Sequence, residues 1–301
     1  LRTAEGERLA RVVSVGRNAA WIAYEDAADG VLLLAALRKN LERTLLVPGD
    51  LVVATPLDAE RVVITRREAR SFTLERTTAG GRVKTMAANI DGIAIVAAFA
   101  RPPLHLTMID ELLAFAEIHD IGARLVFTKA DLADDGVDVA ATIARFAGIG
   151  YTVLPVNPKT GSGVDALRTE LAGRHTLLIG QSGVGKSSLF AALGGRADVG
   201  DVSKIGRGKQ TTTTGRLHRF HEGFLIDSPG VGEFEVRGCT PGELALGFVE
   251  FGSLLGTCRF GDCSHRAEPG CAIRGAVADG RIAASRHASY VAMLERERVE
   301  A

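Results

Sequence analysis

Three textures of apolar and polar positions follow one another along the chain. Between residue 9 and about residue 71 the apolar positions come in short runs, at 10–15, 19–23, 31–37, 51–54 and 61–65. Turn-forming stretches separate them, such as residues 25–30 and Val47-Pro48-Gly49-Asp50. Short strands at this spacing predict a small all-β barrel. Five of them fit an OB-type barrel over residues 1–72, with a β-sandwich fragment as the plainer alternative. From residue 89 to 237 strands and helices alternate. Strands are expected at 93–98, 124–127, 152–156 and 176–179, and helices at 106–119, 139–147 and 164–171, the first carrying Ile109, Leu112, Leu113 and Ala116 at helical spacing. That alternation predicts a mostly parallel sheet covered on both faces. Residues 73–88 read as a linker into it. Two further strands, at 216–220 and 224–226, read as a pair around Glu222-Gly223. From 238 to 301 strands give out, and a small α unit ends in a helix over 283–300.

Composition narrows the class. Hydrophobic residues at 46% and charged residues at 24% are ordinary for a globular chain of 301 residues, which is long enough for two or three cores. Thirty-six basic residues balance thirty-six acidic ones, so nucleic-acid contact must come from local patches. Residues 1–11 carry mixed charge without an apolar stretch and do not read as a signal peptide. The longest apolar runs, 31–37 and 93–100, are too short to span a bilayer as helices. Four cysteines do not make a disulfide scaffold, and a reducing cytoplasm is the expected setting.

The strongest chemical signal is Gly180-Gln181-Ser182-Gly183-Val184-Gly185-Lys186-Ser187, a full G-x-x-x-x-G-K-[ST] pattern between an apolar strand and a helix continuing through Ser188. Its glycines let backbone N–H groups face phosphate oxygens. Lys186 supplies a charge for the β- and γ-phosphates, and Ser187 a hydroxyl for Mg²⁺. About forty residues on, Asp227-Ser228-Pro229-Gly230 places a carboxylate at a strand end, where it can hold Mg²⁺ through water, and Gly230 offers an N–H to the γ-phosphate. Thr128-Lys129-Ala130-Asp131 follows another strand. A carboxylate at Asp131 can accept from guanine N1–H and N2–H, donors that adenine lacks, and the Lys129 stem can lie over the base. Asn157-Pro158-Lys159-Thr160-Gly161 resembles a second base-contacting loop. Both base loops precede the phosphate loop, the reverse of the usual GTPase order, so the order is circularly permuted.

These motifs, with Ala87-Ala88-Asn89-Ile90-Asp91 ahead of the G domain, resemble the circularly permuted GTPases of small ribosomal subunit biogenesis, the RsgA family. The resemblance covers nearly the whole chain. It implies an OB barrel, a permuted P-loop GTPase domain and a C-terminal zinc domain. It also implies a cytoplasmic, monomeric GTP hydrolase that binds the small subunit, helps its late maturation, and is weakly active until the subunit stimulates it. Two positions depart from the family pattern. Thr128 stands for the usual Asn, which is expected to lower guanine affinity. Gln210 stands for a histidine suspected of positioning water. Thr212 aligns with the switch threonine expected on Mg²⁺, and Val231 stands where a Ras-like glutamine would be. The catalytic set is therefore expected to be Lys186, Thr212 and Gln210.

Cys258-x₄-Cys263-x-His265-x₅-Cys271 offers three thiolates and one imidazole, a donor set for a closed structural zinc site. Disulfides using Cys239, or plain buried thiols, are the alternatives from spacing alone; the resemblance implies zinc, with Cys239 left as a core residue. Arg61, Arg66, Arg67, Arg70 and Arg76 form one basic cluster. Lys204, Arg207, Lys209, Arg216 and Arg219, with His218 and His221, form another. Either can meet rRNA phosphates or simply face water. Trp21 is expected in the core. Rival readings are a nucleotide-gated RNA-binding scaffold with incidental hydrolysis, and a P-loop ATPase unrelated to ribosomes.

Overall fold

In the computed structural model residues 6–16, 19–26, 32–38, 46–58, 61–77, 83–134, 136–195, 216–227 and 239–300 are described, and the three textures become three packed units. β1 (Arg8–Val15), β2 (Ala19–Tyr24), β3 (Leu33–Leu37), β4 (Leu51–Pro56) and β5 (Val62–Arg67) close a barrel in the order β1-β2-β3-β5-β4. β1 pairs with both β2 and β4, and a register shift between Val12 and Ser14 helps it turn the corner. β3 and β5 pair in parallel and complete the closure expected of an OB-type barrel. Small and branched side chains such as Ala10, Ala20, Ala35, Ile22 and Ile64 fill its narrow interior.

Residues 73–88, expected as a linker, instead form a two-stranded antiparallel sheet of β6 (Thr73–Thr77) and β7 (Val83–Ala88). Leu74 and Ala87 anchor it in the central core. Gly49 fastens the barrel to this segment. Its φ is +90°, and a Cβ there would lie 2.1 Å from the Ala88 carbonyl oxygen, so only glycine fits. Beside it the buried Asp50 carboxylate receives the Arg70 fork at 2.7 and 2.9 Å.

The central sheet runs β10-β9-β8-β11-β13-β12. Its strands are β8 (Gly92–Ala98), β9 (Gly122–Thr128), β10 (Thr152–Pro155), β11 (His175–Ile179), β12 (Arg216–Phe220) and β13 (Gly223–Asp227). All pair in parallel except β12, which is antiparallel to β13. The helices are α1 (Leu106–Ile118), α2 (Val139–Gly148), α3 (Val164–Leu171) and α4 (Lys186–Ala192). β8 is buried throughout because helices cover both faces. Ile93 and Ile95 join Leu112 and Leu113 of α1, while Ala94 and Val96 join Leu167 of α3 and Leu189 of α4.

The C-terminal unit has α5 (Pro241–Leu246), a 3₁₀ stretch over Val249–Leu254, α6 (Ala272–Ala278) and α7 (Ala284–Glu300). Thr240 and Glu243 form a reciprocal capping box that starts α5. α5 and α7 pack on α1. Arg286 of α7, 1% exposed, holds that junction. It donates to Glu250 at 2.7 and 2.9 Å and to Asp110 of α1 at 3.0 Å. Among the described residues, no helix is long and apolar enough to cross a membrane.

Candidate functional site

β11 ends in the phosphate loop, and the strand's buried side chains fix where that loop emerges. A Cβ at Gly180 would lie 2.1 Å from the Val96 carbonyl oxygen, so glycine lets the loop start flush against β8. Gln181, Ser182 and Gly183 then turn across the strand ends, and Val184 drops its side chain into the core. Gly185 precedes α4, which begins at Lys186 and continues through Ser187 and Ser188. Lys186 is 6% exposed, and its Nζ donates to the carbonyls of Gly180 and Gln181 at 2.7 Å each. Burial pushes its ammonium below the ordinary lysine range, and the Asp227 carboxylate pulls it back up. Ser187 Oγ lies 3.4 Å from Asp227 Oδ2, so two hard oxygen donors converge beside the loop, as a Mg²⁺ site requires.

The two loops expected to read the base meet the phosphate loop or each other directly. Thr128 is 1% exposed and donates its hydroxyl to the Val184 carbonyl at 2.6 Å, with the Ala97 carbonyl at 3.3 Å. With one hydrogen to give, Thr128 ties β9 to the phosphate loop. Lys129 takes a left-handed conformation (φ 55°), and its Nζ donates to the carbonyls of Arg101 and, at 2.7 Å, Gly183. Its aliphatic stem thus bridges the two loops. Asp131 is exposed and accepts from Asn157 Nδ2 at 3.3 Å, which joins the second base loop to the first. Pro158 and Lys159 follow, and the Lys159 N–H donates to Asn157 Oδ1 at 3.0 Å. Arg101 was invisible to motif reading because its contribution is a backbone carbonyl. Gln210, Thr212, Gly230 and Val231 lie outside the described residues, as do Lys204, Arg207 and Lys209.

Cys258, Cys263, His265 and Cys271 converge, with all ligand atoms within 4.8 Å of one another. His265 Nδ1 lies 3.5 Å from Cys258 Sγ and 3.6 Å from Cys271 Sγ, and the two sulfurs are 4.0 Å apart. Zn–S and Zn–N bonds of about 2.3 and 2.0 Å in a tetrahedron give S···N near 3.5 Å and S···S near 3.8 Å, so the donor set fits. The Ala272 N–H donates to Cys258 Sγ at 3.3 Å and the Arg274 N–H to Cys271 Sγ at 3.5 Å, which favours thiolates. Burial lowers the His265 imidazole below the usual histidine value, which favours the neutral form that metal ligation requires. The cluster could hold a metal, and Cys239 stands apart from it, packed against the core.

The expected basic cluster near the barrel is largely neutralised. Arg61 pairs with Asp58, Arg66 with Glu68, and both Arg67 and Arg70 face Asp50. Arg219 is also engaged, donating to the carbonyls of Tyr24 and Glu25 at 3.0 and 2.9 Å, which docks β12 on the barrel. Trp21 packs against the central core, as expected.

Residues 67–237 match a family model described as RsgA GTPase. The chain belongs to the RsgA GTPase family. The small ribosomal subunit biogenesis GTPase RsgA of Yersinia enterocolitica is 44% identical over 288 residues, covering 90% of this chain and 80% of that one. RsgA of Pseudomonas savastanoi pv. phaseolicola is 41% identical over 274 residues, covering 89% and 79%. Among solved structures, YjeQ from Thermotoga maritima superposes with a TM-score of 0.75 at 31% identity, over 96% of this chain and 98% of that one. YloQ, a circularly permuted GTPase, is alike in fold, with a TM-score of 0.74 at 22% identity over 100% and 99%. The permutation expected for an RsgA chain is visible in the sheet. The strands leading into the Asp131 and Asn157 loops, β9 and β10, precede the phosphate-loop strand β11, yet all run parallel within one sheet, in the order β10-β9-β8-β11.

Proposed function

We propose that this chain binds GTP across the ends of β9, β10 and β11 and hydrolyses it while acting on the small ribosomal subunit late in its maturation. Membership of the RsgA family makes it a GTP hydrolase of ribosome biogenesis. The observation that carries the nucleotide assignment is the bridging of the two loops. Thr128 and Lys129 hold the Asp131 loop on the carbonyls of Val184 and Gly183 in the phosphate loop. Triphosphate and base are thereby read by one connected scaffold. Asp131 accepts from guanine N1–H and N2–H and would be left unpaired against adenine, which disfavours an ATPase.

In the bound state Lys186 leaves its loop carbonyls for the β- and γ-phosphates, and the N–H groups from Gly183 to Ser188 line the phosphate oxygens. Ser187 and Thr212 would hold Mg²⁺, with Asp227 reaching it through water, and the ion would neutralise charge that develops between the β- and γ-phosphates. Gly230 contributes an N–H to the γ-phosphate, and Gln210 orients the attacking water. Cys258, Cys263, His265 and Cys271 would hold one zinc, which orders the C-terminal unit. The barrel and this unit dock on rRNA and ribosomal proteins. The chain works as a cytoplasmic monomer, slow alone and stimulated by the subunit.

The test is nucleotide preference. Asp131→Asn replaces an acceptor by a donor suited to xanthine O2, so preference should move from GTP to XTP. An unchanged preference would refute the placement of the base pocket. Turnover titrated with purified small subunits tests the partner, and no stimulation would favour a nucleotide-gated scaffold.

A further inference from the structure

An exposed carboxylate is a poor reader of a base unless its plane is held. Asp131 is exposed and sits on a short 3₁₀ turn, Ala130–Leu132, with no buried side chain to anchor it. In the usual arrangement an amide at the first position of the base motif helps organise this pocket, but here Thr128 is buried and its hydroxyl faces the Val184 carbonyl. One amide does reach the pocket, from the other loop. Asn157 Oδ1 accepts from the backbone N–H groups of Lys159 and Thr160, at 3.0 and 3.3 Å. Those two donors settle which end of the amide is oxygen, so the end facing Asp131 at 3.3 Å is the NH₂ group. The backbone of Asn157 is fixed as well. Its N–H donates to the Ser162 carbonyl at 2.8 Å, and its carbonyl accepts from the Gly161 N–H at 3.0 Å.

We propose that Asn157 is the positioning residue that sets guanine selectivity in this chain, by holding the Asp131 carboxylate plane with its side-chain NH₂. This rests on the reading of Asp131 as the guanine acceptor. The Asn157 bond occupies one lone pair of Oδ1 and leaves the other, with Oδ2, for the two guanine donors. A carboxylate so held can meet N1–H and N2–H together; a freely turning one meets a single donor as well as two. Hypoxanthine keeps N1–H but lacks the N2 amine, so the ratio of GDP to IDP affinity reads the second bond alone.

Asn157→Asp is the informative variant. It keeps an Oδ1 acceptor for Lys159 and Thr160, so the loop retains its hydrogen bonds, but it removes the donor and sets a second carboxylate against Asp131. The GDP/IDP affinity ratio, from fluorescent mant-nucleotide binding to the full chain, is expected to fall by about fivefold or more, the size of one lost hydrogen bond. Asn157→Ser, with a short donor, should restore part of the ratio, whereas Asn157→Ala should not. A wild-type GDP/IDP ratio in both Asn157→Asp and Asn157→Ala would overturn the proposal. Asp131→Asn separates the two claims. If it shifts binding to XDP while the Asn157 variants keep the wild-type ratio, the base pocket stands and the positioning role falls. If it shifts nothing, the pocket itself is misplaced and the proposal falls with it.

Discussion

Replacing Arg286 by Met should destabilise the protein by about 4 kcal/mol. Its guanidinium donates to Glu250 at 2.7 and 2.9 Å and to Asp110 at 3.0 Å, and it lies over the Phe248 ring at 4.5 Å. Hydrogen bonds to charged groups contribute roughly 1.5–3 kcal/mol each, so three bonds set a range of about 4–9 kcal/mol. The lower end applies. Asp110 keeps the Ser289 hydroxyl at 2.7 Å and Arg145 at 3.7 Å, and the Met stem keeps contact with Phe248. The loss should depend on pH. Burial pushes the Asp110 carboxyl up, while Arg286, Ser289 and Arg145 pull it down. Removing Arg286 strengthens the upward push. A carboxyl whose folded pKa lies above its unfolded value gains folding stability as pH falls through the folded pKa. The deficit relative to wild type should therefore narrow from about pH 7 to about pH 5. Urea denaturation of the metal-loaded chain, followed by far-UV circular dichroism at both pH values, measures this. Arg286→Lys keeps the charge without the fork and should fall between. A Met variant within about 1 kcal/mol of wild type, or a deficit that widens on acidification, would refute the reasoning.

Gly49→Ala should lower stability by roughly 2–4 kcal/mol, read as a fall in melting temperature, because φ of +90° and the Ala88 carbonyl at 2.1 Å from the new Cβ both oppose it. Metal analysis should find about one zinc per chain. Cys263→Ser should lose it and Cys239→Ser keep it, and unchanged content in Cys263→Ser would exclude the site. Small subunits should raise GTP turnover strongly, and Thr212→Ala should remove most of that rise. Gln210→Ala should lower stimulated turnover while leaving nucleotide affinity nearly intact; normal turnover on the subunit would assign the water to another group.

What was legible in the sequence is what is contiguous in it. The phosphate-loop motif occupies eight successive residues between a strand and a helix, and the four candidate metal ligands fall within one short segment, so the local pattern drew attention to both, although spacing alone left plain thiols or disulfides open at the second. The alternating strands and helices of the G domain were readable because β8, β9 and β11 are buried on both faces and appear as unbroken apolar runs. The β6–β7 sheet was not readable, since few of its side chains reach the core and Gly49 secures it through backbone contacts. Arg286 was equally silent. Glu250 lies 36 residues away and Asp110 176, and no local pattern announces such pairing. Thr128 read as a weakened base reader, and its hydroxyl bond to the Val184 carbonyl, 56 residues away, had no local signal in the sequence.

The order of strands in the central sheet also sets an order of events while the chain is being made. β8, β9 and β10 leave the ribosome in succession, and each can pair with its neighbour through a helical crossover as soon as it appears. The other edge of β8 must wait. Its partner, β11, joins Gly92 to Thr176 and so arrives more than eighty residues later. Until then an apolar strand with open backbone donors and acceptors is exposed, the kind of edge that recruits foreign strands. The half of the sheet that carries Asp131 and Asn157 is thus finished first, and synthesis of β11, just ahead of the phosphate loop, closes the dangerous edge. Slowing translation between β10 and β11 should lower the yield of folded protein more than slowing it after β13.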